Sequence, residues 1–224
     1  MPELGFSFEG VEPVEYAAVP MLAAKLRIVS QPAEDAVHSI ILRCQIQLEP
    51  TRRRYAETEQ QRLHDLFGEP SRWARTVRPM LWMNTSISVP AFNGSVMVDL
   101  QLPCTFDFNV AATRYFHALE AGEVVVTVMF SGTIFYADAD ERLQATQIPW
   151  DKEASFRFPA ATWHRLMDTH YPNAGWLSLQ RDILDRLNEY KVRNAIPTFE
   201  QALQELLEQA EERAASQAAG GVQQ

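Results

Sequence analysis

Apolar and polar side chains alternate along several stretches of this chain. Between residues 40 and 48 every second side chain is apolar, while Arg43 and Gln45 lie among the polar positions. A period of two is typical of a β-strand that buries one face. The same pattern covers residues 96–102 and, after an interruption at Pro103, residues 104–110. One-sided strands of this kind favour antiparallel sheets with one face in water.

Further strands follow from runs without alternation. Residues 124–136 are apolar on both faces, which predicts a central strand, and Gly132 within this run is interpreted as a β-bulge. Strands are also predicted over residues 22–29 and, as a short element, 155–158. The side chains expected in the core of the sheet are Phe106, Phe108, Val126, Val128 and Ile134.

Helical periodicity dominates the last third of the chain. It predicts one helix over residues 159–171, with Trp163, Leu166 and Met167 on its apolar stripe, and a second over about 176–193, with Leu179, Ile183, Leu187 and Tyr190 facing inward. Thr198 is a predicted N-cap for a last helix, with Gln201 completing a capping box. A shorter helix is predicted earlier, over residues 57–67, closed by Gly68.

The order of these elements predicts an α+β fold. A largely antiparallel β-sheet or sandwich occupies the N-terminal two thirds, and two to three C-terminal α-helices pack on it. We expect a single domain over residues 1–213 and a disordered tail over residues 214–224, which has no apolar periodicity.

Composition and charge exclude several classes of protein. The net charge is −9, from 29 acidic and 20 basic residues, so the chain repels phosphate backbones and nucleic-acid binding is not expected. No stretch reaches the roughly 18 apolar residues that a membrane span needs. The N-terminus, MPELGFSFEG, does not have the pattern of a secretory signal, so a cytoplasmic location is expected. Cys44 and Cys104 are expected as buried free thiols, although a disulfide between them stays open.

Motifs that carry chemistry are missing from the linear sequence. The five histidines form no pair at i, i+4 spacing, and no C-x-x-C occurs, so no metal is predicted. No glycine-rich phosphate loop and no G-x-S-x-G turn is present, so we predict no cofactor and no catalytic residue. A small-molecule-binding or enzymatic site assembled from distant residues stays open as an alternative.

A basic cluster lies between the first and middle strands. Four acidic residues, Glu57, Glu59, Asp65 and Glu69, are interleaved with it. The cluster is therefore either a solvated face or a surface for an acidic partner or carboxylate. Its members are Arg52, Arg53, Arg54, Arg62, Arg72, Arg75 and Arg78.

Tryptophans lie beside some of these arginines and again at residue 150. Trp and Arg most often carry binding energy at protein interfaces, although a Trp at such a place can equally plug the edge of the core. The resulting candidate partner surface comprises Arg72, Trp73, Arg75, Arg78, Trp82, Trp150, Asp151, Lys152 and Glu153.

Several longer phrases resemble one uncharacterised bacterial family, a domain of unknown function, over residues 5 to about 207. Among these phrases are LRCQIQLEPTRRRY, LFGEPSRW, LPCTFDFNVAATRYFHALEAGEV, IPWDKEASFRFP and YPNAGWLSLQRDILDRLNEYK. Genes of this family often sit beside those for nickel–iron hydrogenases and their maturation proteins. The resemblance implies a non-enzymatic accessory or assembly protein whose partner is a hydrogenase subunit or maturation factor. A homo-oligomer stays open, and the resemblance assigns no catalytic residue.

The order of elements also resembles the SecB export-chaperone family. The strand FSGTIF is followed by a helix ending in Tyr171-Pro172-Asn173 and by a helix containing Arg181-Asp182. This resemblance implies a chaperone-like fold that binds unfolded chains in apolar grooves. The spacings differ from that family, residues 137–158 are additional, and a plain β-sandwich is an equal alternative.

Overall fold

A computed structural model describes residues 2–33, 35–138 and 140–220, with only the backbone described over residues 216–220. The described chain divides into two compact units, residues 1–174 and 175–224. The prediction of one domain over residues 1–213 stays a prediction.

The first unit holds the strands and most of the shorter helices. In chain order the elements are β1 (Glu3–Pro13), β2 (Met21–Gln31), β3 (Val37–Leu48), α1 (Glu57–Phe67), α2 (Trp73–Thr76), β4 (Met80–Val89), β5 (Ser95–Pro103), α3 (Val110–Ala118), β6 (Glu123–Ala137), β7 (Leu143–Gln147), β8 (Glu153–Pro159) and α4 (Ala160–His170). Short 3-10 turns at Pro50–Arg52 and Pro70–Arg72 precede α1 and α2.

Two antiparallel sheets make up this unit. One has the strand order β1-β2-β5, and the other has the order β4-β3-β6-β7, with β8 also paired to β6. The inner faces of both sheets contribute to one apolar core, in which the ring of Phe6 stacks on that of Phe130 with centroids 4.1 Å apart. The sheets therefore form a sandwich, and the predicted α+β class is confirmed.

Alternation predicted the central strands correctly. In β3, Ile40, Leu42 and Ile46 are fully buried, while Arg43 and Gln45 are exposed. β6 lies between β3 on one edge and both β7 and β8 on the other, and its residues 124–128 are buried on both faces, as the predicted central strand requires. Each fully buried aliphatic side chain of this kind contributes roughly 1.5–3 kcal/mol.

Gly132 does not mark a β-bulge. Its register with β3 is regular, opposite Leu42, and the irregularity between these strands lies near Val37 instead. A Cβ on Gly132 would lie 2.0 Å from the carbonyl oxygen of Ile41, and the φ of this glycine is 137°. The glycine is required because two backbones approach closely here.

The predicted strand over residues 104–110 is wrong. After Pro103 ends β5, the chain turns and enters α3, where the side chain of Asn109 accepts a hydrogen bond from the Ala112 N–H at 3.0 Å. An Asn at the N-cap satisfies one of the unpaired N–H groups of a helix, and this local bond outweighs the weak alternation. Phe106 is buried as expected, whereas Phe108 is 48% exposed.

The other expected core residues and the fourth helix are confirmed. Val126, Val128 and Ile134 are at most 1% exposed. α4 starts after Pro159, as expected for a proline at a helix start, and packs against β1, β2 and β8. It buries its predicted stripe of Trp163, Leu166 and Met167.

The second unit contains α5 (Arg181–Arg193) and α6 (Phe199–Gly220). α5 begins five residues later than the predicted start at residue 176, and Ile183, expected to face inward, is 40% exposed. The hydroxyl of Thr198 accepts a hydrogen bond from the Gln201 N–H at 3.2 Å, so the predicted N-cap is present.

The predicted disordered tail overlaps the end of α6. The backbone of residues 214–220 is helical, consistent with the high helix propensity of its alanines. Residues 221–224 lie outside the described residues. Among the residues that are described, no helix combines the length and the hydropathy needed to cross a membrane.

Candidate functional site

The candidate site is built by residues 50–78, which connect β3 to β4. Leu48 at the end of β3 pairs with Met80 at the start of β4. The connection therefore leaves and re-enters the sheet at neighbouring positions. Of the two short helices between them, α1 packs on α3 and is thereby held against the rest of the unit.

A buried ion pair fixes the start of this segment. Nη2 of Arg53 lies 2.9 Å and 3.1 Å from the two carboxylate oxygens of Glu59, and the two side chains are 7% and 4% exposed. The carboxylate also accepts hydrogen bonds from the N–H groups of Ala56 at 2.9 Å and Glu120 at 2.8 Å. Arg53 donates in turn to the carbonyl of Ala121 at 2.9 Å, so the pair joins α1 to the loop before β6.

The surroundings of Glu59 favour its charged form. Burial alone raises the pKa of this carboxyl, but the backbone N–H groups of Glu120 and Ala56 and the charge of Arg53 outweigh burial and lower the pKa below its ordinary value. Glu59 is therefore ionised at neutral pH, and it is a structural acceptor rather than an acid ready to donate a proton.

Two tyrosines continue the network beneath Arg53. The Tyr55 hydroxyl donates to the carbonyl of Pro50 at 2.7 Å and lies 3.1 Å from the hydroxyl of Tyr115, which is fully buried. Burial raises the pKa of both phenols, so both stay protonated. The guanidinium carbon of Arg53 lies 4.8 Å from the centre of the Tyr55 ring, a cation–π distance.

An apolar hollow opens beside this network, and we call it the aromatic socket. Its volume is about 160 Å³. The Trp73 ring meets the rings of Tyr55 and Phe67 nearly edge-on, with centroids 5.3 Å and 5.4 Å away, and its indole N–H donates to the Gly68 carbonyl at 2.8 Å. The three rings are half-buried and held in place by their neighbours. The socket is lined by Pro50, Thr51, Arg53, Tyr55, Phe67, Trp73, Ala74 and Val77.

A second hollow adjoins the socket, and we call it the basic cleft. It has a volume of about 480 Å³ and shares Thr51 and Arg53 with the socket. Arg157 on its far side lies 3.6 Å from Glu123, with both side chains more than half exposed. The cleft is lined by Thr51, Arg52, Arg53, Arg54, Gly122, Glu123 and Arg157.

The structure places part of the sequence-predicted partner surface at the socket. Trp73 lines it, and Arg72, Arg75 and Arg78 are exposed along α2 and the residues on either side of it. Trp82 is only 3% exposed and packs edge-on against Phe116, with centroids 5.1 Å apart. Its ring is part of the core. This agrees with the alternative interpretation, in which a tryptophan at such a place plugs the edge of the core.

The remaining predicted residues lie elsewhere. Trp150 is 92% exposed in the connection between β7 and β8, and Lys152 forms an ion pair with Glu3 at 2.9 Å. Asp151 and Glu153 are exposed. This connection lies beyond β6, on the side opposite β3 and β4. The two halves of the predicted surface are therefore attached to opposite edges of the sheet, and their binding of a partner stays a prediction.

Sequence reasoning missed the central residues of the site. Arg53 and Glu59 belong to a run of charges that reads equally well as a solvated face, and Tyr55 and Phe67 carry no pattern that singles them out. One signal was present: Glu59 is the third residue of α1, the position from which a glutamate reaches back to the N-cap N–H.

Thiols and metal-binding side chains offer no further site in the described parts of the chain. Cys44 and Cys104 are free and buried, as expected, and burial raises the pKa of each thiol to about 12, which makes them unreactive. Among the described residues, no three His, Cys, Asp or Glu side chains converge as metal ligands.

Comparison with known proteins identifies a family without an assigned activity. The solved structure of β-glucosidase 3B from Thermotoga neapolitana, in complex with α-D-glucose, is similar over 70% of this chain at 13% identity, with a TM-score of 0.27. This chain spans 17% of the length of that protein, and so low a TM-score carries no argument. No curated protein matches the chain. A family model matches residues 1–215, and the chain belongs to DUF6084, a family of unknown function.

Proposed function

We propose that this chain is a non-enzymatic accessory or assembly protein that binds another protein through the aromatic socket and its flanking arginines. The observation that carries the proposal is the socket itself, an aromatic hollow at the surface with Arg53 in its wall. Aromatic residues and arginine are the types that most often dominate binding energy at protein interfaces.

The size of the socket supports a single side chain of a protein partner as its occupant. Small-molecule sites generally measure about 300–1,000 Å³, whereas an apolar cavity of about 150 Å³ accommodates a benzene-sized group. At about 160 Å³, the socket matches one aromatic or branched aliphatic side chain. A protein partner presents such a side chain with its own backbone remaining outside the hollow.

The local charge supports an acidic partner. Residues 50–78 contain seven arginines and four acidic residues, although the whole chain has a net charge of −9. An acidic partner is repelled by most of this protein and attracted by this segment, which orients the encounter.

The identity of the partner is also a proposal. The resemblance of the sequence phrases to a family encoded beside nickel–iron hydrogenase genes supports a hydrogenase subunit or maturation factor. If the partner is a hydrogenase subunit or maturation factor, its surface must offer an exposed apolar side chain among acidic residues.

Affinity capture from the native host, with mass spectrometry of the captured proteins, tests the proposal. We expect wild type to recover one partner that Trp73→Ala loses. Arg75→Glu should weaken the capture, because Arg75 is exposed beside the socket. The matched control is Arg43→Glu, the same charge reversal on the exposed face of β3, which should capture as wild type does. Recovery unaffected by Trp73→Ala, in a protein with an unchanged melting temperature, would contradict a role for the socket.

A further inference from the structure

We propose that the basic cleft binds a carboxylate, so that the partner presents an apolar anchor with an Asp or Glu two to four residues away in the same extended segment. This inference rests on the proposed function, because it assigns the aromatic socket to the anchor. It adds the chemistry of the neighbouring residues, which neither the family nor the socket alone specifies.

The two hollows are continuous. Thr51 and Arg53 line both of them, so a ligand that fills the socket has the cleft directly beside it. An extended segment advances about 3.3 Å per residue, so two to four residues cover about 7–13 Å. With the apolar anchor in the socket, an acidic residue at this distance along the segment can reach the arginines around Thr51.

The basic cleft carries positive charge that nearby carboxylates do not compensate. Arg53 is neutralised by Glu59, and Arg157 lies near Glu123. Arg52 and Arg54 have no ion-pair partner among the residues that the structure describes, and both are exposed. Guanidinium groups match a carboxylate with two parallel hydrogen bonds, which makes Asp or Glu the fitting counterpart.

Arg53 has a hydrogen-bond donor that no residue uses among those that the structure describes. Its Nη1 atom is buried and has no hydrogen-bond partner in the described parts of the chain. Buried donors are rarely left unsatisfied, and each exception calls for an explanation such as a ligand or a water. Because Nη1 is closed off from solvent, an acceptor on a bound segment reaches this donor only when the Arg53 side chain turns toward the cleft.

The backbone of the cleft adopts a left-handed conformation at Gly122. Its φ is 78°, which favours glycine, and a Cβ there would make an ordinary contact with Nη2 of Arg53 at 3.6 Å. The backbone conformation therefore explains the glycine at this position of the cleft.

Selection from a phage-displayed library of random eight-residue peptides tests the inference and does not require the partner to be identified. Wild type, Trp73→Ala, the double variant Arg52→Glu/Arg54→Glu and the control Arg43→Glu serve as targets after their melting temperatures are compared. We expect wild type and the control to enrich peptides with an aromatic or branched apolar residue and an Asp or Glu within four positions. Trp73→Ala should lose these peptides, and the double variant should lose the acidic preference.

Calorimetry on one selected synthetic peptide and its Asn/Gln analogue gives the quantitative test. Replacing the carboxylates by amides should weaken binding to wild type about tenfold or more, as expected for the loss of charge-assisted hydrogen bonds. Binding to Arg52→Glu/Arg54→Glu should no longer favour the acidic peptide and should favour the amide peptide, because the introduced carboxylates repel the acidic one. Binding of the acidic peptide to wild type should also fall as salt is added.

The outcomes separate the inference from the proposed function. One outcome overturns the carboxylate site and leaves the socket in place. In this outcome the binding of the selected peptides depends on Trp73, but a peptide with Asp or Glu and its Asn/Gln analogue bind equally well. If no peptide is selected whose binding depends on Trp73, both are overturned. Selection of acidic peptides whose binding is unaffected by Arg52→Glu/Arg54→Glu also overturns the assignment of the carboxylate to this cleft.

Discussion

Arg53 and Glu59 form a buried ion pair that joins the start of α1 to the loop before β6, with nitrogen–oxygen distances of 2.9 Å and 3.1 Å. The carboxylate also binds the N–H of Glu120, which is 61 positions away in sequence. The position of the socket wall therefore depends on a contact between two distant parts of the chain.

Removing one partner of this pair should be strongly destabilising. Glu59→Gln leaves the Arg53 guanidinium buried without a counter-charge, which costs about 3–5 kcal/mol for a buried pair. The free energy of unfolding from urea titration measures the loss. Glu57→Gln, a neighbouring change in the same first turn at an exposed position, should cost less than about 1 kcal/mol. Similar losses for the two variants would show that the pair is not desolvated.

Stability should also depend on Glu59 in acid. The pKa of Glu59 is lowered on folding, so the unfolded state binds the proton more tightly and protonation favours unfolding. The stabilisation is complete above the ordinary carboxyl pKa of about 4.5 and is lost as the pH falls through the lower folded value. Urea midpoints measured between pH 7 and pH 3 should therefore fall less steeply for Glu59→Gln than for wild type. Parallel curves would contradict the lowered pKa.

The burial of Arg53 is decided by these same contacts and not by its neighbours in sequence. Arg53 stands in a run of three arginines, and nothing local distinguishes it from Arg52 or Arg54, which are exposed. Its burial depends on Glu59 and on the carbonyl of Ala121, which is 68 positions away. Such a pairing is decided by the tertiary fold, so the sequence alone presents the charges of this segment as one solvated face or partner surface.

Alternation of apolar and polar residues predicted some strands correctly and others wrongly. Residues 40–48 alternate over nine positions and lie within β3, because each of the five apolar side chains at every second position is buried in the core. Residues 104–110 alternate as well, but Asp107 and Asn109 are turn and N-cap residues, and the chain turns there. β4 was missed because its alternation is weak: Leu81 is apolar but exposed, and Thr85 and Ile87 lie between exposed positions and are only half-buried.

The misread strand yields a direct prediction for two phenylalanines. Phe106 is 8% exposed and stacks on His117, so Phe106→Ala should cost about 3–5 kcal/mol. Phe108 is 48% exposed, and Phe108→Ala should cost less than about 1 kcal/mol. Denaturant unfolding of both variants decides the point, and equal losses would favour a strand over these residues.

Gly132 should tolerate no side chain. In Gly132→Ala the new Cβ meets the Ile41 carbonyl oxygen at 2.0 Å, so two central strands must move apart. Because this contact adds to the strain of a side chain at a φ of 137°, we expect the free energy of unfolding to fall by about 3 kcal/mol or more. Gly5→Ala in β1 is the matched control, because no atom lies within 4 Å of its added Cβ, and it should be nearly neutral. A neutral Gly132→Ala would show that β3 and β6 are not in this register.

Charge reversal on α2 and beyond it separates binding from stability. Arg75 and Arg78 are exposed, so Arg75→Glu and Arg78→Glu should each change the free energy of unfolding by less than about 1 kcal/mol. Because both flank the socket in sequence, the same changes should weaken capture of an acidic partner, more at low salt than at high salt. Urea titration and capture at two salt concentrations measure the two effects. A loss of several kcal/mol in stability would mean that these arginines are buried in the way Arg53 is. Unchanged stability with unchanged capture would leave α2 as a solvated face and move the search for the partner surface to the acidic helix α6.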